Sequence, residues 1–386
     1  VPIRGARTLT WRPRGLVDAI DGTNARPGDM ASLANLIPDS STRGIFVPRP
    51  ASIQFANSAP TTGGVTVFLI LGSWLYGMCT SGAYDVPFAY NLATQALVYP
   101  VSGARPGFNC PLAQSTVGDW TPPQMATCST YVLLTHPGFT GPGNGYIGWM
   151  NILNPAEPVW SSGTIATNPL AGVPSGVAVF GDRAYYAVGN ATEASDVLFP
   201  LQRTNANQVL TFGDTNPITA LAGLPLNNVN GGIIQSLMVF KGVSNIWQVT
   251  GDYSGTPSAW DTNTLNVATG TLAPRTLVPT PAGLAFVAPD GLRIIDFNAN
   301  VGDPIGAFGD GVCVPFQQAV APSRMAAAYN VETLRIAVRQ SAVTSGATVE
   351  FWYNFSLKAW TGPHSLPTSF MAAYLNTFIC AMNPTG

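Results

Sequence analysis

From residue 60 onward the chain alternates short apolar runs, rich in β-branched and aromatic residues, with clusters of Gly, Pro, Asn and Asp. Runs at 65–78, 131–135, 175–188, 236–250, 284–297, 325–338 and 349–360 have the composition and punctuation of strands. Helical spacing is confined to one candidate, residues 27–36, stopped by Pro38. The pattern predicts an all-β chain.

The runs repeat in two forms. In the first, an apolar strand, a tight polar turn and a second apolar strand follow one another, as at 176–188, 237–249, 283–295 and 325–338. Such a unit predicts hairpin turns at Gly181-Asp182, at 241–245 and at Asp290-Gly291. In the second, an aromatic strand ends in Asn and a further aromatic follows after a short turn, as at 88–99, 149–160 and 351–360. Units of the first form recur at intervals close to the roughly 40–50 residues of a propeller blade, with longer steps where loops such as 135–145 are inserted. The expectation is a β-propeller of six or seven blades over residues 55–386, preceded by an irregular arm, residues 1–54. A pair of β-sandwiches is the competing architecture and leaves the two alternating units unexplained. Radial repetition also accounts for a single domain of this length.

Composition sharpens this picture. Glycine and proline, 40 and 33 residues, leave little room for long helices, and charged residues are 9% against about a quarter in an ordinary soluble domain. A surface so poor in charge suits a protein covered in an assembly. Net charge is −2, so no global field draws the chain to nucleic acid. Residues 1–49 differ, with seven arginines and four aspartates. Lys241 and Lys358 are the only lysines among seventeen basic residues; arginine favours fixed, planar contacts. The longest apolar run, 65–79, is too short to span a bilayer, and the N-terminus has no apolar leader core, so neither membrane insertion nor the usual secretion route is expected.

Candidate chemistry is sparse. Cys79, Cys110, Cys128, Cys313 and Cys380 form no CxxC pair and read as small buried hydrophobes. His136 and His364 are the only histidines, each beside a proline, and no Gly-x-Ser-x-Gly elbow accompanies them, so no catalytic residue is assigned. Asp182, Asp252 and Asp290 fall at turn positions, where a carboxylate bonds its own backbone. Asp296, Asn298, Asn300 and Asp303 have the alternate oxygens of a calcium loop. Val301 stands where glycine is needed and Ala307 where glutamate is, so the segment reads as a polar turn and neither metal nor cofactor is expected.

Several phrases, in order, resemble virion structural proteins of short-tailed bacteriophages. They are Thr10-Trp11-Arg12-Pro13-Arg14-Gly15, Gly28-Asp29-Met30-Ala31 and Val47-Pro48-Arg49-Pro50 near the start. Val209-Leu210-Thr211-Phe212-Gly213-Asp214, Met238-Val239-Phe240-Lys241-Gly242 and Gln248-Val249-Thr250-Gly251-Asp252 follow in the middle, and Lys358-Ala359-Trp360-Thr361-Gly362-Pro363-His364 near the end. The resemblance implies a tail nozzle: a β-propeller subunit in a homo-oligomeric ring, commonly a hexamer, below the portal and adaptor. Such a ring retains and conducts genomic DNA and anchors fibres or spikes, with no catalytic residue and a location in the virion tail. A tail protein that binds or cleaves host surface glycans is the alternative, and exposed aromatics beside carboxylates in one cleft would mark it.

The arm supplies the candidate interface. Arg4, Arg7, Trp11, Arg12 and Arg14 lie close together, and prolines at 2, 13, 27, 38, 48 and 50 exclude a long helix or a central strand. The arm is expected to gain little on its own propeller and to reach a neighbouring subunit or the adaptor, where guanidinium groups meet carboxylates or carbonyls. Contact with DNA is the rival, since phosphates attract the same groups. The segment after Phe378 ends without a closing strand, so the expectation is either a truncated chain or an N-terminal strand that completes the last blade.

Overall fold

A computed structural model describes residues 64–81, 84–98, 121–139, 145–153, 160–228, 231–251, 260–306, 311–339 and 348–382, with short segments at 15–16, 29–30, 35–38 and 46–48. It is a β-propeller. Each blade is an antiparallel meander whose strands, A to D, run outward from the centre. Blade one comprises Val65–Leu71, Trp74–Ser81, Tyr84–Asn91 and Ala96–Val98; blade two comprises Gln124–Cys128, Tyr131–Thr135, Tyr146–Asn151 and Trp160–Thr164. Blade three comprises Gly176–Phe180, Arg183–Val188, Ala191–Ala194 and Val209–Thr211; blade four comprises Ala220–Asn227, Ile233–Lys241, Asn245–Gly251 and Trp260–Asn266. Blade five has three strands, Val278–Thr280, Gly283–Ala288 and Gly291–Ile295. Single bridges from Leu292 to Ile305 and from Ile295 to Val301 stand in for its fourth. Blade six is Ala326–Asn330, Thr333–Arg339, Thr348–Asn354 and Ala359–His364. A final hairpin, Thr368–Tyr374 with Thr377–Met382, sits between blade six and blade one. Six blades and this hairpin meet the expected count.

The two sequence units now have physical identities. The first is a hairpin of adjacent strands, A and B in blades three and six but B and C in blades four and five: Phe180 pairs with Arg183 around Gly181-Asp182, and Lys241 pairs with Asn245 in blade four. The blade-five turn falls one residue earlier than expected, on Pro289-Asp290, and Gly291 already belongs to strand C. The second unit is strands C and D, and its asparagine caps the turn between them. Asn91 Oδ1 accepts from the amides of Ala93 and Thr94 at 2.9 and 3.0 Å, Asn151 from Leu153 at 3.0 Å and Asn354 from Leu357 at 2.8 Å. A side-chain oxygen that satisfies the turn's own amides explains why Asn ends strand C in blades one, two and six.

Blades stack through apolar faces and are stitched at the inner rim. Phe240 of blade four meets Phe286 of blade five with ring centroids 5.1 Å apart, and Phe68 of blade one meets Phe370 of the hairpin at 5.0 Å. Inner strands approach so closely that a Cβ at Gly223 would lie 2.9 Å from the Val179 carbonyl. A proline (Pro123, Pro174, Pro217, Pro274, Pro322 or Pro367) shortly precedes inner strands two to six and the hairpin, where it ends the incoming segment. Just after it, a polar side chain commonly bonds the next blade. Gln124 reaches the Ser175 carbonyl at 3.4 Å, Ser175 the Ile218 carbonyl at 3.3 Å, and Thr219 the Thr271 carbonyl at 2.7 Å. Across the closing seam, Ser369 donates to the Val65 carbonyl at 3.2 Å. Arg275, which precedes blade five, donates to the Thr66 carbonyl at 2.7 Å and lies 5.5 Å over the Phe370 ring.

The arm departs from expectation in two ways. Asp29–Met30 is a strand paired in parallel with Gly15–Leu16, and Leu36–Pro38 pairs with Phe46–Pro48, so no helix covers 27–36. Asn35 is in the left-handed conformation (φ 56°), which interrupts a right-handed helix there. These segments also lie against the outer strand of blade six. The Ser365 amide donates to Asn35 Oδ1 at 3.1 Å, and Leu36 packs on the blade-six core. The described part of the arm therefore does pack on its own propeller: Leu36 supplies apolar surface to a core edge that blade six leaves open. The boundary at residues 54 and 55 lies outside the described residues.

Replacing Arg275 by Met should lower unfolding free energy by about 1.5–3 kcal/mol, the usual worth of a charge-assisted hydrogen bond, read by urea denaturation. An unchanged midpoint would show that this contact does not hold the ring.

Candidate functional site

Arg4, Arg7, Trp11, Arg12 and Arg14 all lie outside the described residues, as does any contact they make. What the structure does place are the buried ionisable groups. These gather at joints between blades.

His136 follows strand B of blade two and is fully buried, as is Asp85 on strand C of blade one. The Gly138 amide donates to His136 Nδ1 at 2.9 Å, so the proton sits on Nε2, which donates to Asp85 Oδ2 at 2.8 Å. Asp85 Oδ1 accepts from the Thr80 hydroxyl at 2.9 Å. Both imidazole nitrogens are occupied and no face meets solvent. The geometry joins blades one and two, and it offers a substrate neither a lone pair nor a path.

A larger network joins blade six to the final hairpin. Glu350, on strand C, is fully buried and accepts from Arg335 (2.8 Å from Nε, 2.6 Å from Nη2), from Trp352 Nε1 at 2.7 Å and from the Thr368 hydroxyl of the hairpin. The Arg335 guanidinium is sandwiched between the rings of Trp352 and Phe378, at 4.6 and 4.8 Å. A carboxylate with this many donors can stay charged in the interior, where an unpaired one could not. His364 packs at a tilt on Trp352 with centroids 4.3 Å apart, and its Nε2 lies 3.1 Å from the Thr361 hydroxyl. A hydroxyl beside an imidazole is the start of a nucleophile and base pair. Here both residues are buried, so no substrate reaches the hydroxyl. Cys380 borders this network. Burial first, with Glu350 adding to it against an opposing Arg335, pushes its thiol up to about 11, and the thiol is unreactive at neutral pH.

Blade three ties down the preceding connection: Glu193 pairs with Arg203 and accepts from the Ala171 amide at 3.0 Å. Blade four does likewise. The buried Lys241 amine donates to the Phe212 carbonyl, to the Asp214 carbonyl at 2.7 Å and to Asp214 Oδ1 at 2.6 Å. The hydrogen bond from Lys241 lowers the Asp214 pKa below the ordinary carboxylate value, and bonds from Asn216 add to it. In the sequence Lys241 stands out as a rare lysine at the start of a hairpin turn. Its partner, 27 residues upstream, had no signal in local pattern.

The polar segment at 296–303 is a turn. Asp296 Oδ1 accepts from the amides of Asn298 and Asn300, each at 2.8 Å, and Oδ2 from the Asn300 side chain at 3.0 Å. Partial burial acts against charge on Asp296, but these bonds outweigh it and hold its pKa below the usual value. Among the described residues no group of three or more His, Cys, Asp or Glu is placed to hold a metal ion, and no helix is long and apolar enough to cross a membrane. Cys79, Cys128 and Cys313 are buried as expected, and Cys110 lies outside the described residues. Among the described residues Phe199 is an exposed aromatic side chain, and Trp74, Trp149, Trp247 and Trp352 are half-buried.

The fold thus defines the class, a β-propeller in which pairs such as Asp85–His136 and Asp214–Lys241 join neighbouring blades. No family model matches the chain, and no curated protein matches it. Among solved structures it is similar to the SapL1 lectin in complex with alpha methyl fucoside, at 15% identity over 82% of this chain and 98% of that one, with a TM-score of 0.41. It is similar to a Mycobacterium tuberculosis puromycin-hydrolyzing peptidase at 8% identity over 86% and 52%, with a TM-score of 0.44. A nidogen/laminin complex matches at 12% identity over 75% and 91%, with a TM-score of 0.37. Matches this distant carry no statement about ligand or activity.

The Lys241–Asp214 pair predicts a pH signature. A carboxylate with a depressed folded pKa stabilises above its unfolded value, about 3.9, and loses that contribution as pH falls through the folded value. The stability difference between the wild type and Lys241→Met should therefore be largest above about pH 5 and shrink below about pH 4. A difference constant from pH 7 to 3 would remove the pair from the account.

Proposed function

We propose that the chain is a structural subunit of a bacteriophage tail. It forms a ring-shaped nozzle, a homohexamer, below the portal and adaptor, where it retains and conducts the genome and anchors fibres or spikes. It performs no chemistry. One observation carries the reading beyond the resemblance of its phrases. Two of those phrases, 209–214 and 238–242, meet in space, because Lys241 of the second is enclosed by Phe212 and Asp214 of the first. The two phrases thus meet at the joint between blades three and four, which supports an architectural task. Burial of His136 in the joint between blades one and two, and of His364 within blade six, is consistent with the same task. A charge content of 9% suits a surface largely covered by neighbours. The arginines of residues 1–14 are assigned to contacts with a neighbouring subunit or the adaptor.

Native mass spectrometry and negative-stain images of the purified protein test this directly. The expected outcome is a closed six-membered ring and labelling of the tail by antibody on intact particles. A protein that is monomeric both in solution and on the virion would overturn the proposal. Hydrolysis of host polysaccharide by the pure protein would replace it with the glycan-cleaving alternative.

A further inference from the structure

In a meander blade the A–B and C–D turns lie at the same end. At that end of blade six and the final hairpin, three turns come together. The A–B turn of blade six presents Val331 and Glu332, its C–D turn Leu357 and Lys358, and the hairpin turn Leu375. The Phe355 amide donates to the Glu332 carbonyl at 2.8 Å, and the Asn330 side chain donates to the Thr377 carbonyl, so the turns form one surface. Beneath it, Tyr329 and Phe355 pack edge to face with centroids 5.4 Å apart.

Two features of this surface are unfavourable in an isolated chain. Val331, Leu357 and Leu375 are 63%, 43% and 79% exposed, although all are apolar. Val331 and Leu375 are also in the left-handed conformation, with φ of 55° and 51°. That region suits Gly or Asn and strains a β-branched residue such as Val331. A strained backbone that displays a bare apolar side chain is a cost to the monomer, and covering the side chain offsets it. Charge identifies the cover. One acid, Glu332, and one base, Lys358, both exposed, flank the apolar residues. An equal pair of this kind is self-complementary, because a two-fold axis sets each base against the other copy's acid.

We propose that this surface is a self-association site, on which a second copy packs about a two-fold axis. Apolar tips meet apolar tips, and Lys358 of each copy faces Glu332 of the other. The inference does not depend on the tail reading, since it concerns a two-fold contact rather than the ring contact. Lys358 also gives it a specific probe: the chain has two lysines, and Lys241 is buried.

The test combines sedimentation at increasing concentration with a short amine-reactive cross-linker and peptide mapping. The wild type should yield a Lys358–Lys358 cross-link between copies. Glu332→Lys and Lys358→Glu should each weaken association roughly tenfold, the effect of setting like charges against each other in two symmetric pairs. Mixing the two variants should restore it, because the mixed pair places opposite charges at both contacts. Val331→Asn should weaken association yet raise the melting temperature of the monomer, since it relieves the strained turn. Three results would overturn the proposal: a wild type with no such cross-link, charge variants that associate normally or fail to recover on mixing, or a Val331→Asn monomer that melts lower.

Discussion

A propeller stands or falls on closing its circle. Each blade here is a meander of local hairpins, but the last contact must join residues about three hundred positions apart in a ring of similar units. The seam between the final hairpin and blade one carries three kinds of joint at once. Phe370 packs edge-on to Phe68, Ser369 donates to the Val65 carbonyl, and Arg275 reaches from the start of blade five to Thr66. The hairpin is fastened on its other side through Thr368 to the buried Glu350 of blade six. A two-stranded unit is marginal alone. It holds its place because both flanks supply hydrogen bonds and aromatic surface.

The same constraint explains where the charge went. A chain with few ionisable residues has spent several of them inside: Asp85 with His136, Glu193 with Arg203, Asp214 with Lys241 and Glu350 with Arg335. Burying such a pair gives little net stability over well-packed apolar residues, but breaking one is costly, because a lone charge is left behind. Asp85–His136 and Asp214–Lys241 cross from one blade to the next, so they specify which blades are neighbours more than they add to total stability, while the other two pairs lie within blades three and six. His136 sits in such a joint, whereas His364 packs within blade six against Trp352 and Thr361.

Much of this architecture is legible from local pattern. The first unit gives an A–B or a B–C hairpin and the second gives strands C and D, and the Asn that ends strand C in blades one, two and six caps the following turn. Hairpins at Gly181-Asp182 and 241–245 fall where turn chemistry places them, while the blade-five turn is displaced by one because Gly291, at φ 140°, opens strand C instead. The arm is where local reading fails. Residues 27–36 have helical spacing, yet Asn35 adopts a left-handed conformation and Leu36 joins a strand pair against blade six, a tertiary partner more than three hundred residues away. Partners such as Thr368 for Glu350 or Asp85 for His136 are likewise invisible to spacing, because they depend on which blades become neighbours. The prolines before the inner strands were visible all along, and their regular placement is a blade signal as useful as the hairpins.

If closure is cooperative, the final hairpin should be as hard to open as the full blades beside it. Hydrogen exchange read by mass spectrometry compares the amides paired between Thr368–Tyr374 and Thr377–Met382 with those between Val65–Leu71 and Trp74–Ser81. The account predicts that both hairpins open with the same free energy and that Glu350→Ala lowers protection in both together. A hairpin that exchanges freely while blade one stays protected would contradict it, because the circle would then be held without its last piece.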